Sequence, residues 1–199
     1  MIKVCIFDMG GVLVRDHDVA PALIEYLGRE ERSFRSLGDT VLNSLREHGK
    51  GNITETEFWE IYRSEIHEDL FIGGESLLGR FFTPKLDIPT ASVIGELKAT
   101  GMRVVCGTNV IASHYRIHQE GHQYELFDAV YPSHLMHIIK PDPTFFQWIL
   151  DQEGISANEA FFTDDMAVNT QSSSALGIHS FVYTDAETLR TQLSDLDLL

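Results

Sequence analysis

The sequence predicts an α/β fold, a Rossmann-like three-layer sandwich on a parallel sheet. Three observations carry that expectation. From about residue 87 onward, strand-length apolar runs alternate with longer amphipathic stretches, the pattern of βαβ units whose crossovers place helices on both sheet faces. Several runs, "VCIF", "MRVVCGT" and "AFFTD", are apolar almost throughout, as strands covered on both faces are. At 199 residues the chain is long enough to bury such a core as one domain, or one domain with a substantial insertion.

The elements follow in order. "VCIF" is the first strand; it ends in Asp8, and Gly10 and Gly11 follow after Met9. "DVAPALIEYLG" reads as a helix capped by Asp18 and closed at Gly28. Residues 33–48 and 54–67 read as two more, the second opened by a capping box of Thr54 and Glu57. A shorter helical piece lies near 75–82, before the breakers Pro84 and Pro89. "IPTASVIGELKATG" is a helix, "MRVVCGT" a strand, "NVIASHYRIHQE" a helix and "FDAVYP" a short strand. "PDPTFFQWILDQEG" is a helix, "AFFTD" a strand, "MAVNTQSSSALG" a helix and "IHSFVYT" a strand, with a closing helix over 185–196.

Composition narrows the function. Fifteen basic against thirty acidic residues give a formal charge of −15, which argues against a nucleic-acid surface. An anionic small substrate would then need a metal or a few placed cations. No apolar run reaches the roughly 18–20 residues that span a bilayer, and the first residues lack signal-peptide architecture. A cytoplasmic protein with no membrane partner is expected. Cys5 and Cys106 sit in apolar strand-like runs without C-x-x-C spacing, and read as small buried hydrophobes rather than a disulfide.

Ligands of open α/β sheets bind beyond the C-terminal strand ends. The polar residues there are Asp8, Thr108 with Asn109, and Asp164 with Asp165, with Lys140 in the loop before a helix. Mg²⁺ takes hard oxygen ligands, typically one or two carboxylates with waters and substrate phosphate. Asp8 and Asp165, with Asp164 close by, can supply them. Lys140 can neutralise phosphate oxygens and Thr108 can donate a hydrogen bond to one. A carboxylate such as Asp8 can attack phosphorus to form an aspartyl-phosphate, with the surrounding charges stabilising the equatorial oxygens.

Four segments, "FDMGGVL", "CGTN", "IKPDPTFF" and "FFTDDMAVNTQSSSALG", match in order the motifs of the haloacid dehalogenase (HAD) superfamily of phosphatases and related hydrolases, which the chain resembles over nearly its whole length. The resemblance implies Asp8 as nucleophile, with Thr108 and Lys140 as catalytic phosphate ligands beside Gly10, Gly11 and Asn109. It implies Mg²⁺ held by Asp8, the Gly10 carbonyl, Asp164 and Asp165. It further implies a core of residues 1–14 and 87–199, a helical cap of residues 15–86 that closes over the site, and a small phosphorylated metabolite, a sugar phosphate, as substrate.

One position departs from the pattern. Where phosphatases of the family usually carry a second aspartate as general acid, this chain has Gly10. Such an acid contributes about 10²–10⁴ in rate. Three readings remain: a phosphatase whose proton comes from the substrate, water, Asp16 or His17; a 2-haloacid dehalogenase, disfavoured by the paired acids; or a weak or silent binding protein with the same pocket.

Other features read as structure. His114, His118 and His122 recur every fourth residue, and are expected on a solvated helix face. Arg29, Arg32 and Arg35 are expected to pair with Glu30 and Glu31 rather than face the site. Phe58, Ile61 and Tyr62 read as the core of a helical bundle. Asn169, one helical turn past Asp165, either orients a carboxylate or lies exposed.

Overall fold

The structure, a computed structural model, describes residues 1–31, 33–66 and 75–199. Its centre is a five-stranded parallel sheet: β1 (Val4–Phe7), β4 (Arg103–Thr108), β5 (Ala129–Pro132), β6 (Ala160–Asp164) and β7 (His179–Val182). The order across it is β5-β4-β1-β6-β7. β1 is therefore flanked by β4 and β6, with Phe7 opposite Cys106 on one side and Thr163 on the other. That central position places Asp8 between the ends of the two neighbouring strands.

Alternation along the strands divides the core into the two outer seams of a three-layer sandwich. Cys5, Phe7, Val104, Cys106 and Phe161 face one apolar cluster, shared with α5 (Ile88–Ala99) and α10 (Ala186–Ser194). Val4, Ile6, Val105 and Phe162 face another, filled by Phe145, Phe146 and Ile149 of α8 (Pro143–Glu153), with α9 (Ala167–Ala175) leading to Ile178. Local capping starts these helices where the sequence turns polar: the Asp87 carboxylate accepts from Thr90 N at 3.0 Å and Asp142 from Thr144 N at 2.9 Å. Both cysteines are free and buried, and burial pushes the Cys5 thiol up to about 12.

Between β1 and α5 the chain leaves the sheet. It passes a two-residue strand, β2 (Val14–Arg15), and returns through β3 (Lys85–Leu86), which pairs with it antiparallel. So short a ribbon has no readable periodicity, and the sequence reading lacks it. The intervening helices are α1 (Ala20–Tyr26), α2 (Asp39–Gly49), α3 (Glu55–Ile66) and α4 (Leu77–Arg80). They share a third apolar cluster containing Leu23, Ile24, Phe58, Trp59, Tyr62 and Leu78, which Ile111 joins from outside the segment. Here Trp59 is buried, and the expected Ile61 is half-buried.

Two expectations in this segment change. The single helix over 33–48 is instead a 3₁₀ turn, Phe34–Leu37, and then α2. Gly38 separates them at φ +107°, outside any helical region and open chiefly to glycine. Arg29 pairs with Glu31 at 2.7 Å, as expected, while Arg32 lies outside the described residues, as does residue 67 of the expected 54–67 helix. The capping box at α3 is present: Glu57 N donates to Thr54 Oγ1 at 3.2 Å and Thr54 N to Glu57 Oε2 at 2.7 Å.

The remaining elements are α6 (Ala112–Glu120), which starts three residues later than the "NVIASHYRIHQE" pattern, and the one-turn α7 (Ser133–Met136), which the sequence reading lacks. His114 and His118 are not on a solvated face. His118 is buried, and His114 lies flat on Phe82, ring centroids 3.7 Å apart at 4°. The helix turns this stripe toward the third cluster, and only His122, past the helix end, is exposed. Among the described residues no helix is long and apolar enough to cross a membrane.

Candidate active site

The sheet's C-terminal edge gathers the charged residues around one buried lysine. Lys140 Nζ donates to Asp8 Oδ1 at 2.7 Å and to Asp164 Oδ2 at 2.6 Å, its side chain only 1% exposed. An ammonium is buried only where paired carboxylates repay its lost hydration. Burial works against the Lys140 charge, and Asp8 and Asp164 outweigh it, holding the pKa above its ordinary value. Burial pushes Asp8 up to about 6, while Lys140 pulls it down and the Asp164 charge pushes it up again.

The loop that carries Lys140 is fastened to the end of β4. Asn109 Nδ2 donates to the Lys140 carbonyl at 3.0 Å, and Lys140 N donates to Asn109 Oδ1 at 2.8 Å. This reciprocal pair spends the Asn109 amide on positioning Lys140. Thr108, buried, ends β4 beside β1, and Asp8 N donates to the Thr163 carbonyl at 3.1 Å.

The two adjacent acids divide into different states. Asp164 is fully buried, and every one of its contacts comes from a donor: Met166 N at 2.8 Å, Asn169 Nδ2 at 2.9 and 3.0 Å, and Lys140. Asn169 is itself buried, so of its two sequence readings the carboxylate-orienting one holds. Asp165 is more open to solvent, and the partial loss of hydration around its carboxyl together with the Asp164 charge raises its pKa. Asp8, Asp164 and Asp165 each offer a carboxylate oxygen, all within 4.8 Å of one another. Hard oxygens around Mg²⁺ stand about 3–4 Å apart, so this donor set fits the ion.

Both glycines are accounted for by neighbours. Gly11 has φ +76°, and a Cβ there would stand 2.3 Å from Asp165 Oδ2; only glycine lets the loop pass under that carboxylate. At Gly10 a Cβ would stand 2.9 Å from His17 Cδ2 and 3.3 Å from Nε2. The imidazole thus fills the space a side chain at position 10 would enter. Among the described residues neither His17 ring nitrogen makes a hydrogen bond. Asp16, the other sequence candidate for a proton source, pairs with Lys85 Nζ at 2.7 Å.

The model of the haloacid dehalogenase-like hydrolase family matches residues 2–177. The chain belongs to that family. Among curated proteins this HAD chain is 29% identical over 191 residues to sesquiterpene phosphatase astK of Aspergillus oryzae, covering 92% of this chain and 91% of that protein. Among solved structures, it shares its fold with a HAD family enzyme of Bacteroides thetaiotaomicron, crystallised with magnesium and inorganic phosphate. There the TM-score is 0.71 at 22% identity, over 92% of this chain and 95% of the other. It also shares the fold of L-2-haloacid dehalogenase from Xanthobacter autotrophicus, with TM-score 0.63 at 18% identity, over 100% and 85% of the two chains.

Sequence reasoning passed over two residues that hold this HAD site together. Arg15 donates to the Gly11 carbonyl, to Asp87 Oδ2 at 3.1 Å and to Tyr183 Oη at 3.0 Å, tying the glycine loop to two distant elements. Ser133, fully buried, accepts from Val110 N at 2.9 Å and donates to the Gly49 carbonyl at 2.7 Å. It links the loop after Asn109 to α2. Neither belongs to a motif; their partners lie 72 and 84 positions away, beyond any local pattern.

Proposed function

We propose that the chain is a Mg²⁺-dependent phosphatase of a small phosphorylated metabolite, acting through an aspartyl-phosphate on Asp8. The observation that carries the reading is the Lys140 ammonium bridging Asp8 and Asp164 beside a third acid within metal-binding reach. The phosphatase relative and the magnesium- and phosphate-bound structure of the same fold support it.

In this reading Asp8, Asp164, Asp165 and the Gly10 carbonyl hold Mg²⁺, which when bound neutralises phosphoryl oxygens. Lys140 holds Asp8 by one carboxylate oxygen, leaving the other to attack phosphorus. The P–O bond to the organic group breaks as the Asp8–phosphorus bond forms, and the leaving oxygen takes a proton from water. Thr108, Lys140 and the backbone at Asn109 bind the phosphoryl oxygens; Gly11, expected beside them, instead donates its N–H to the Val14 carbonyl at 2.9 Å and shapes the loop. Water then attacks the aspartyl-phosphate, releasing inorganic phosphate and restoring the Asp8 carboxylate. Residues 15–86 act as a cap that excludes bulk water, the core being residues 1–14 and 87–199.

Gly10 favours a second reading, a weak or silent binding protein, because the usual acid is absent there. Release of phosphate from phenyl phosphate separates the two, since phenolate leaves without a proton. The proposal expects metal-dependent release by the native chain and none by Asp8→Asn. Equal, absent release from both, with Mg²⁺ present, would leave the binding protein.

A further inference from the structure

We propose that the substrate's organic group is apolar, a hydrocarbon chain or ring seated in a cavity between the α1–α4 segment and the sheet domain, rather than a sugar. The inference rests on the phosphatase reading and names the substrate class of that same site. The cavity has a volume of about 470 Å³, within the range that accepts a small organic ligand.

Its continuity with the phosphate site is written in the chain. Asn109 follows Thr108, Ile139 precedes Lys140, and His17 overlies Gly10; all three line the cavity. Thr108 and Lys140 are each bonded to a residue of the lining, so a phosphoryl group they hold has the cavity beside it to receive its organic group.

The wall beyond that point is hydrocarbon: Val19, Phe34, Leu45, Leu78, Ile111 and Ile139. Among the polar lining residues His17 keeps its ring nitrogens free of bonds to the described residues, for one or two hydroxyls at the phosphate end, and the others offer little more. Asn109 spends both ends of its amide on the Lys140 backbone. His114 spends its single ring N–H on the Leu78 carbonyl at 3.1 Å. Asp18 and Arg46 are exposed, at the rim. A pyranose would bring several hydroxyls into this space and leave most of them without partners, a desolvation loss for each. An alkyl or terpenoid chain loses nothing and buries apolar surface.

The test is calorimetric binding of ethyl-, butyl-, hexyl- and octylphosphonate to the native chain with Mg²⁺, beside glucose 6-phosphate and its turnover. Phosphonates are not hydrolysed, so the readout is independent of catalysis; failure to release phosphate from phenyl phosphate would count against the phosphatase reading alone. The expected result is affinity rising about fourfold per methylene until the cavity is filled. Leu45→Gln should lower affinity for octylphosphonate about tenfold more than for ethylphosphonate. A flat series, or preference for glucose 6-phosphate over the octyl compound, would overturn the assignment.

Discussion

His114 should make the protein acid-labile by a calculable amount. The ring lies flat on Phe82 and is tied to the Leu78 carbonyl, so a carbonyl acceptor fixes which nitrogen carries the proton. Burial lowers its pKa from 6.5 to about 4; the Leu78 carbonyl and the Glu55 carboxylate oppose this, and the neighbouring His118 and His48 rings add to it. In the unfolded chain the imidazole accepts a proton near pH 6.5, whereas in the folded chain it does so only near pH 4. Between those values the unfolded state binds the extra proton, so stability falls as pH falls. A shift of this size corresponds to about 3 kcal/mol, lost between pH 7 and pH 4. Carboxylates titrate over part of the same range, so the useful quantity is a difference. Urea unfolding of the native chain and of His114→Phe, which keeps the stack but cannot protonate, should be compared at several pH values. The native chain's stability relative to the variant should fall by about 3 kcal/mol on acidification. A difference that stays constant to within about 1 kcal/mol would refute the burial argument.

Three further perturbations probe the site. Asn169→Leu strips two hydrogen bonds from the buried Asp164 carboxylate; the loss should be about 2–4 kcal/mol of stability, and a urea midpoint unchanged from the native one would contradict it. Gly11→Ala drives a Cβ into Asp165 at a positive φ. It should weaken Mg²⁺ binding at least about tenfold, with a backbone cost of about 1–2 kcal/mol, and native-like metal affinity by calorimetry would speak against Asp165 as a ligand. Gly10→Asp must push the His17 ring aside, costing about 1–3 kcal/mol. It should raise turnover of alkyl esters relative to phenyl phosphate by about 10² or more; an equal change for both esters would mean that leaving-group protonation is not limiting.

The legible parts of this molecule were those whose signal is local. Largely apolar runs such as Val4–Phe7 and Ala160–Asp164 read as strands sealed on both faces, and each leads to a polar residue that the parallel topology carries to one edge. Hence Asp8, Lys140 and Asp164 could be named together before their contacts were seen. What escaped depends on partners distant in sequence. The β2–β3 ribbon is two residues long on each side, and Gly38 looks like any helical glycine until its φ is known. The His114 and His118 stripe has the spacing of a surface face, and Phe82, Leu78 and Tyr124, from outside the helix, cover it. The cavity wall is likewise drawn from segments with no shared pattern, so the sequence pointed to a sugar phosphate by resemblance alone and gave no sign of an apolar one.

The central claim is that Asp8 is phosphorylated in turnover. Mixing the native chain with phenyl phosphate and Mg²⁺, quenching in acid and mapping peptides by mass spectrometry tests it most directly. The account predicts one phosphoryl group on the peptide bearing Asp8, lost on treatment with hydroxylamine and absent without Mg²⁺ or in Asp8→Asn. Phosphate released at full rate by Asp8→Asn, with no modified peptide in the native chain, would contradict it.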